Sequence, residues 1–139
     1  FNYNNISFYD DYAHHPTEIS SVLSAVKNVN KNKEIVCIFQ PHRISRVINL
    51  KKEFSKCFKL ADTVLLCPIY KANEKIKPNF TYHSFAKLII KNSNVKLIQV
   101  DHELQLRKFI KQNVFGKKIY IGMGAGSISN WMKNLENIF

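Results

Sequence analysis

Glu34-Ile35-Val36-Cys37-Ile38-Phe39-Gln40-Pro41-His42-Arg43-Ile44-Ser45-Arg46 is the stretch on which the fold turns. Its first six residues, Glu34–Phe39, read as a strand, and all but Glu34 are apolar. A strand with no apolar–polar alternation is covered on both faces, which is typical of parallel sheets sandwiched by helices. Helical spacing follows at once. Arg43–Phe58 reads as a helix, with Ile44, Val47, Ile48, Leu50 and Phe54 toward a core and Lys51, Lys52 and Lys56 toward solvent.

The same alternation extends in both directions. Strands are predicted at Ile6–Asp10, Thr63–Cys67, Val95–Val100 and Lys118–Gly122. Helices are predicted at Pro16–Asn28, Tyr82–Lys91, Glu103–Gln112 and Ser127–Leu135, and residues 68–80 form a polar connection carrying Pro68 and Pro78. In the first helix, Ile19, Val22, Leu23 and Val26 follow the i, i+3, i+4, i+7 pattern. Pro16 is tolerated in its first turn, and Glu18 sits favourably near the positive end of the dipole. Strands that alternate with helices need right-handed crossovers. The prediction is therefore an α/β three-layer sandwich, with a mainly parallel sheet of five to six strands and helices on both faces.

The 139 residues suit one domain spanning residues 1–139, and no linker, repeat or low-complexity block divides them. Hydrophobic residues make up 45% and aromatics 12%, enough for a core, so a disordered chain is excluded. No apolar run approaches the roughly 18 residues of a membrane helix, and no secretory signal is visible. The chain begins with Phe1 rather than Met and is expected to be a piece of a longer protein.

The net charge of +11 invites a nucleic-acid reading. Its make-up argues otherwise. Of the 21 basic residues only Arg43, Arg46 and Arg107 are arginine, and Lys, Asn and Ile abound, as AT-rich coding leaves them. The lysines read as solvated surface. No aromatic–basic interleaving or zinc-finger spacing accompanies them, so neither nucleic acid nor membrane is expected as a partner. The three cysteines are odd in number and form no Cys-x-x-Cys. Cys37 and Cys67 read as small core hydrophobes, and a reduced, cytoplasmic setting is expected.

Ligands of such sheets sit at the carboxyl ends of the strands. The loops at 10–16, 40–46, 67–74 and 122–127 therefore carry the functional reading. The first, Asp10-Asp11-Tyr12-Ala13-His14-His15-Pro16, packs two carboxylates, a phenol and two imidazoles together. Such clustering points to a functional site, the alternative being an Asp or His cap on the following helix. Without a cysteine to complete a zinc set, no metal site is expected. In the second loop, Arg43 and Arg46 are predicted to share one face of a first helical turn. That is a poor place for cations unless a carboxylate or phosphate docks there. The alternative is one Arg packed along its stem and the other paired on the surface. The last loop, Gly122-Met123-Gly124-Ala125-Gly126-Ser127, holds three of the four glycines. It fits close approach to a phosphate or a tight structural turn equally well.

Together the loops resemble the C-terminal domain of the Mur ligases. Asp10 to Ile19 is similar to that family's signature almost letter for letter. Phe39-Gln40-Pro41-His42-Arg43 with Ser45-Arg46 resembles its second motif. Ile69-Tyr70-x-Ala72-x-Glu74 and Gly124-Ala125-Gly126 resemble two later ones, with departures at Pro68, Asn73 and Ser127-Ile128-Ser129. The second motif favours the branch that adds L-alanine over the tripeptide-recycling branch.

The resemblance implies a Rossmann-like fold and a three-domain cytoplasmic enzyme of peptidoglycan precursor synthesis, of which this chain is the amino-acid-binding part. It implies ATP and Mg²⁺ as cofactors, bound mainly by a central domain, and UDP-N-acetylmuramate bound by an N-terminal one. The muramoyl carboxylate would be phosphorylated, and the amine of L-alanine would attack the acyl phosphate. Arg43 and Arg46 would hold the alanine carboxylate, with His42 and Tyr12 shaping the pocket. His14 would lie near the amine as orienter or proton acceptor. Asp11 would contact the nucleotide or catalytic centre, and Gly124 and Gly126 the nucleotide. Alone, the chain would be inactive.

Overall fold

The computed structural model describes residues 1–75 and 80–139. In chain order the elements are β1 (Asn2–Tyr3), β2 (Ile6–Asp11), α1 (Pro16–Val29), β3 (Glu34–Phe39), α2 (Ile44–Asn49), α3 (Lys51–Lys56) and β4 (Thr63–Leu66). They continue as α4 (Tyr82–Ser93), β5 (Lys96–Gln99), α5 (Glu103–Gln112), β6 (Lys118–Met123) and α6 (Ile128–Leu135), closed by a 3₁₀ turn at Glu136–Ile138. No helix among the described residues is long and apolar enough to cross a membrane.

The six strands run β1-β2-β6-β3-β4-β5. All neighbours are parallel except β1, which pairs antiparallel with β2. The α/β sandwich predicted from the apolar strands is the observed architecture. Alternate residues of β3 point to opposite faces, as strand geometry requires. Ile35, Cys37 and Phe39 join Ile19 and Leu23 of α1, Val47 of α2, Phe54 of α3 and Phe85 and Ile89 of α4 in one core. Val36 and Ile38 join Leu106 and Ile110 of α5 and Ile128, Met132 and Leu135 of α6 in the other. Phe39 anchors the end of β3, with its ring 5.6 Å from that of Phe54 and 5.1 Å from that of Phe58. Burial of each such side chain is worth roughly 1.5–3 kcal/mol.

The chain steps across the sheet from β2 to β5 with its helices on one face, then returns to the middle through α5 on the other. Right-handed crossovers require that change of face when the direction reverses. β6 therefore lies between β2 and β3. The register sets Asp11 beside Met123 and Met123 beside Phe39, so the three strands end level. A crevice at such a reversal point is where open α/β sheets receive ligands.

Several expectations need correction. β1 is additional, made by a two-residue Asn4-Asn5 turn with φ of 47° and 65°, the left-handed pair favoured in tight hairpins. The helix expected over Arg43–Phe58 is two short ones broken at Leu50 (φ −115°, ψ 22°), although Val47, Leu50 and Phe54 still face one core. Arg43 precedes α2 rather than lying in it, with φ of 70°. Arg43 and Arg46 therefore do not share a helical face. Pro78, expected in the 68–80 connection, lies outside the described residues. The three cysteines are buried free thiols, and burial pushes the Cys67 thiol up to about 12.

Candidate functional site

The loop after β2 is shaped by its own polar groups. Asp11 Oδ1 accepts from the Ala13 amide at 2.8 Å, closing an Asx turn. Asp10 and Asp11 are consecutive in a strand and so project to opposite faces. Asp10 Oδ2 accepts from the Ser129 hydroxyl at 2.5 Å and ties β2 to α6. Only Asp11 serves the loop.

The two imidazoles separate just as clearly. His15 caps α1: its Nδ1 accepts from the Thr17 amide at 3.3 Å, while Glu18 Oε1 accepts from the His15 amide at 3.0 Å. This is the capping box that the alternative reading of the loop allowed. Burial opposes ionisation of Glu18. The His15 and His14 amides and the two imidazoles outweigh it and hold the carboxyl below its usual value. His14 turns inward. Its Nδ1 lies 2.8 Å from the Tyr12 carbonyl, an atom that can only accept. Nδ1 therefore carries a proton, and in the neutral ring the lone pair is on Nε2. The Tyr12 ring meets His14 edge-on at 5.0 Å.

The loop after β3 meets this one from the neighbouring side. The His42 ring is 6.2 Å from that of His14 and lies nearly parallel to the Tyr70 ring at 5.4 Å. Arg46 Nη1 donates to His42 Nδ1 at 3.2 Å, so the His42 proton sits on Nε2, opposite to His14. Burial, then the charges of Arg46, Arg43 and His14, push His42 below its usual 6.5, with Glu74 pulling the other way. His42 is a neutral donor beside two fixed cations.

The loop after β4 holds that geometry. The Arg43 amide donates to the Tyr70 carbonyl at 2.8 Å, and the Tyr70 amide donates to the Pro41 carbonyl at 2.8 Å. Glu74 Oε2 accepts from the Ser45 amide at 3.0 Å, and Oε1 accepts from the Ser45 hydroxyl at 2.7 Å.

Behind the site, Gln40 is 3% exposed. Its Nε2 donates to Ser127 Oγ at 2.9 Å, and its Oε1 accepts from the Ile128 amide at 3.0 Å. Gly124 and Gly126 of the last loop serve this packing. A Cβ on Gly124, whose φ is 154°, would stand 2.8 Å from the Gln40 carbonyl oxygen and from Ile128 Cγ2. One on Gly126 would stand 2.5 Å from Tyr70 Cγ and 2.8 Å from Gln40 Oε1. The tight-turn reading of this loop thus has a physical cause in neighbouring side chains.

The structure therefore brings the rings of Tyr12, His14 and His42 into a row and bonds Arg46 to His42, with the exposed Arg43 next to His42 in the chain and Asp11 at the turn that supports the first loop. Sequence reasoning assigned no role to Gln40, Ser45, Tyr70 or Glu74. Tyr70 and Glu74 fell within a motif that gave no sign of what they touch. Among the described residues, no three His, Cys, Asp or Glu side chains are grouped to hold a metal. Asp11 and Glu18 each have one carboxylate oxygen bonded to a backbone amide, and each leaves a single further oxygen, far fewer than the near-octahedral oxygen set Mg²⁺ takes.

A parallel sheet covered on both faces, with two arginines and two imidazoles in the loops at its reversal point, defines the chain as an α/β domain with a basic cluster at the carboxyl ends of its strands. The chain belongs to the Mur ligase family: the family described as "Mur ligase, glutamate ligase domain" matches residues 2–126. It is 60% identical over 138 residues to the UDP-N-acetylmuramate–L-alanine ligase of Pelagibacter ubique, covering 99% of this chain and 30% of that protein. It is 37% identical over 131 residues to the bifunctional MurC/Ddl enzyme of Chlamydia trachomatis, covering 94% of this chain and 16% of that one. The crystal structure of UDP-N-acetylmuramate–alanine ligase from Thermotoga maritima superposes with a TM-score of 0.70 at 28% identity, over 99% of this chain and 28% of that one. A domain of a putative UDP-N-acetylmuramate:L-alanyl-γ-D-glutamyl-meso-diaminopimelate ligase from Haemophilus ducreyi shares the fold, with a TM-score of 0.69 at 22% identity over 97% of this chain and 92% of that one. The chain spans 30% of the length of its Pelagibacter relative.

Proposed function

We propose that residues 1–139 form the C-terminal, amino-acid-receiving domain of a cytoplasmic, ATP-dependent ligase that joins L-alanine to UDP-N-acetylmuramate in peptidoglycan precursor synthesis. The observation that carries this reading is the convergence of His14 on His42, 6.2 Å apart ring to ring, with Arg46 bonded to His42. A small zwitterion would meet a guanidinium for its carboxylate and an imidazole for its amine in such a cluster.

Arg43 and Arg46 would take the alanine carboxylate through charge-assisted bonds. His42, neutral and with its proton on Nε2, adds a donor without adding a third charge. His14 offers the Nε2 lone pair toward which the alanine ammonium would lose a proton, leaving a nucleophilic amine. Asp11 keeps this loop in shape through its Asx turn. Tyr12, 70% exposed, would form the wall that another domain covers on closure, excluding water from the reactive acyl phosphate. ATP with Mg²⁺, held mainly by a domain outside this chain, would supply the phosphoryl group that activates the muramoyl carboxylate.

The test is ligation by the full-length protein with UDP-N-acetylmuramate, ATP, Mg²⁺ and either L-alanine or the tripeptide L-alanyl-γ-D-glutamyl-diaminopimelate. The alanine adduct with release of ADP and phosphate is expected. Product from the tripeptide alone would replace this reading by the recycling one. Arg43→Ala should raise the alanine KM at least tenfold, and an unchanged KM would remove Arg43 from the pocket.

A further inference from the structure

We propose that Glu74 is a positioning residue for the carboxylate-gripping pair: reaching in from the loop after β4, it holds the first turn of α2 and so sets where Arg43 and Arg46 stand. The proposal rests on the reading of that pair as the alanine carboxylate site.

Three observations carry it. First, α2 cannot hold its own beginning. It has six residues, no acidic residue in its first turn, and an N-cap, Arg43, whose side chain makes no capping bond. A helix this short does not persist on local bonds. Second, Glu74 supplies the missing cap from 29 residues away, with one oxygen on the Ser45 amide and the other on the Ser45 hydroxyl. Both bonds fall on the residue just before Arg46 and two after Arg43. Third, Arg43 holds a φ of 70°, which a residue with a side chain rarely adopts. The same 70–74 loop fixes it there through the bond from the Arg43 amide to Tyr70 and the bond from the Tyr70 amide to Pro41.

Both Glu74 oxygens accept from Ser45, so the carboxylate bears directly on the first turn of α2.

The experiment compares Glu74→Ala, Glu74→Gln and Ser45→Ala in the full-length protein by steady-state kinetics and by hydrogen exchange at the Ser45 amide. Glu74→Ala should raise the alanine KM about tenfold while the ATP KM stays within twofold, and Ser45 exchange should quicken about tenfold. Glu74→Gln retains an acceptor for the amide and a donor for the hydroxyl, so it should restore both readouts to within threefold of wild type. Ser45→Ala should fall between them in KM. A Glu74→Ala enzyme with alanine KM within twofold of wild type would overturn the proposal, as would a Gln variant as impaired as the Ala variant. Failure of the wild-type protein to ligate alanine would instead defeat the functional reading. In that case, undiminished Ser45 protection in Glu74→Ala would overturn the positioning role, and lost protection restored by Gln would support it.

Discussion

Gly122 lies in β6 under α6, and a Cβ added there would stand 2.4 Å from Met132 Cγ and 2.7 Å from its Sδ. Ordinary carbon contacts are about 3.5–4.0 Å, so Gly122→Ala overlaps Met132 by about 1 Å. Met132 is 4% exposed and packed among Ile128, Leu135 and the β-strand core, which leaves little room to swing aside. Inserting a methyl into a filled core costs about 1–3 kcal/mol. Unfolding entropy for a chain of this length is about 0.3 kcal/mol/K, so the melting temperature should fall by about 3–10 °C. The assay is calorimetric melting of the 139-residue chain, with Met132→Ala and the double variant alongside. Met132→Ala alone should cost about 2–5 kcal/mol through its cavity. In the double variant the new methyl enters space vacated by Met132, so the combined loss should fall short of the sum by about 1 kcal/mol or more. Strict additivity, or a Gly122→Ala protein melting within a degree of wild type, would refute the packing argument.

Gln40→Leu keeps the volume but strips the Ile128 amide of its buried acceptor, so urea melts should show a loss of about 1–3 kcal/mol. Nitrogen-15 spectra of the imidazoles should show opposite neutral tautomers, with the proton on Nδ1 in His14 and on Nε2 in His42; the same tautomer in both would break the site geometry. His42 is depressed below 6.5, so its contribution to stability is complete above that pH and is lost as the pH falls through the lower folded value. A titration followed at the His42 ring should therefore have its midpoint below 6.5. Under the proposed function, Arg46→Lys keeps the charge but loses the planar fork, so the alanine KM of the full-length protein should rise about tenfold rather than stay level.

The parallel sheet was legible because β3 carries its evidence locally, as five apolar residues in a row followed by helical spacing. The level ends of β2, β6 and β3 follow from that topology, and so does the meeting of the His14 and His42 loops. The features that escaped are those fixed by distant partners. No Pro or Gly marks the break at Leu50. Arg43 leaves the helix because its amide is claimed by Tyr70, and the first turn of α2 is held by Glu74. Gly124 and Gly126 answer to Gln40 and Tyr70, which periodicity cannot place beside them. The opposite fates of Asp10 and Asp11 were within reach of strand alternation alone; those of His14 and His15 needed their partners.

Gln40 joins the end of β3 to the start of α6, and Tyr70 joins the Arg43 loop to Gly126, so three segments far apart in sequence interlock. Anyone transplanting the proposed amino-acid site between homologues would have to move these segments as a set. A chimera that exchanges the Gln40–Arg46 stretch alone would inherit mismatched neighbours on two sides, and its altered selectivity would reflect a badly seated graft rather than the donor's preference.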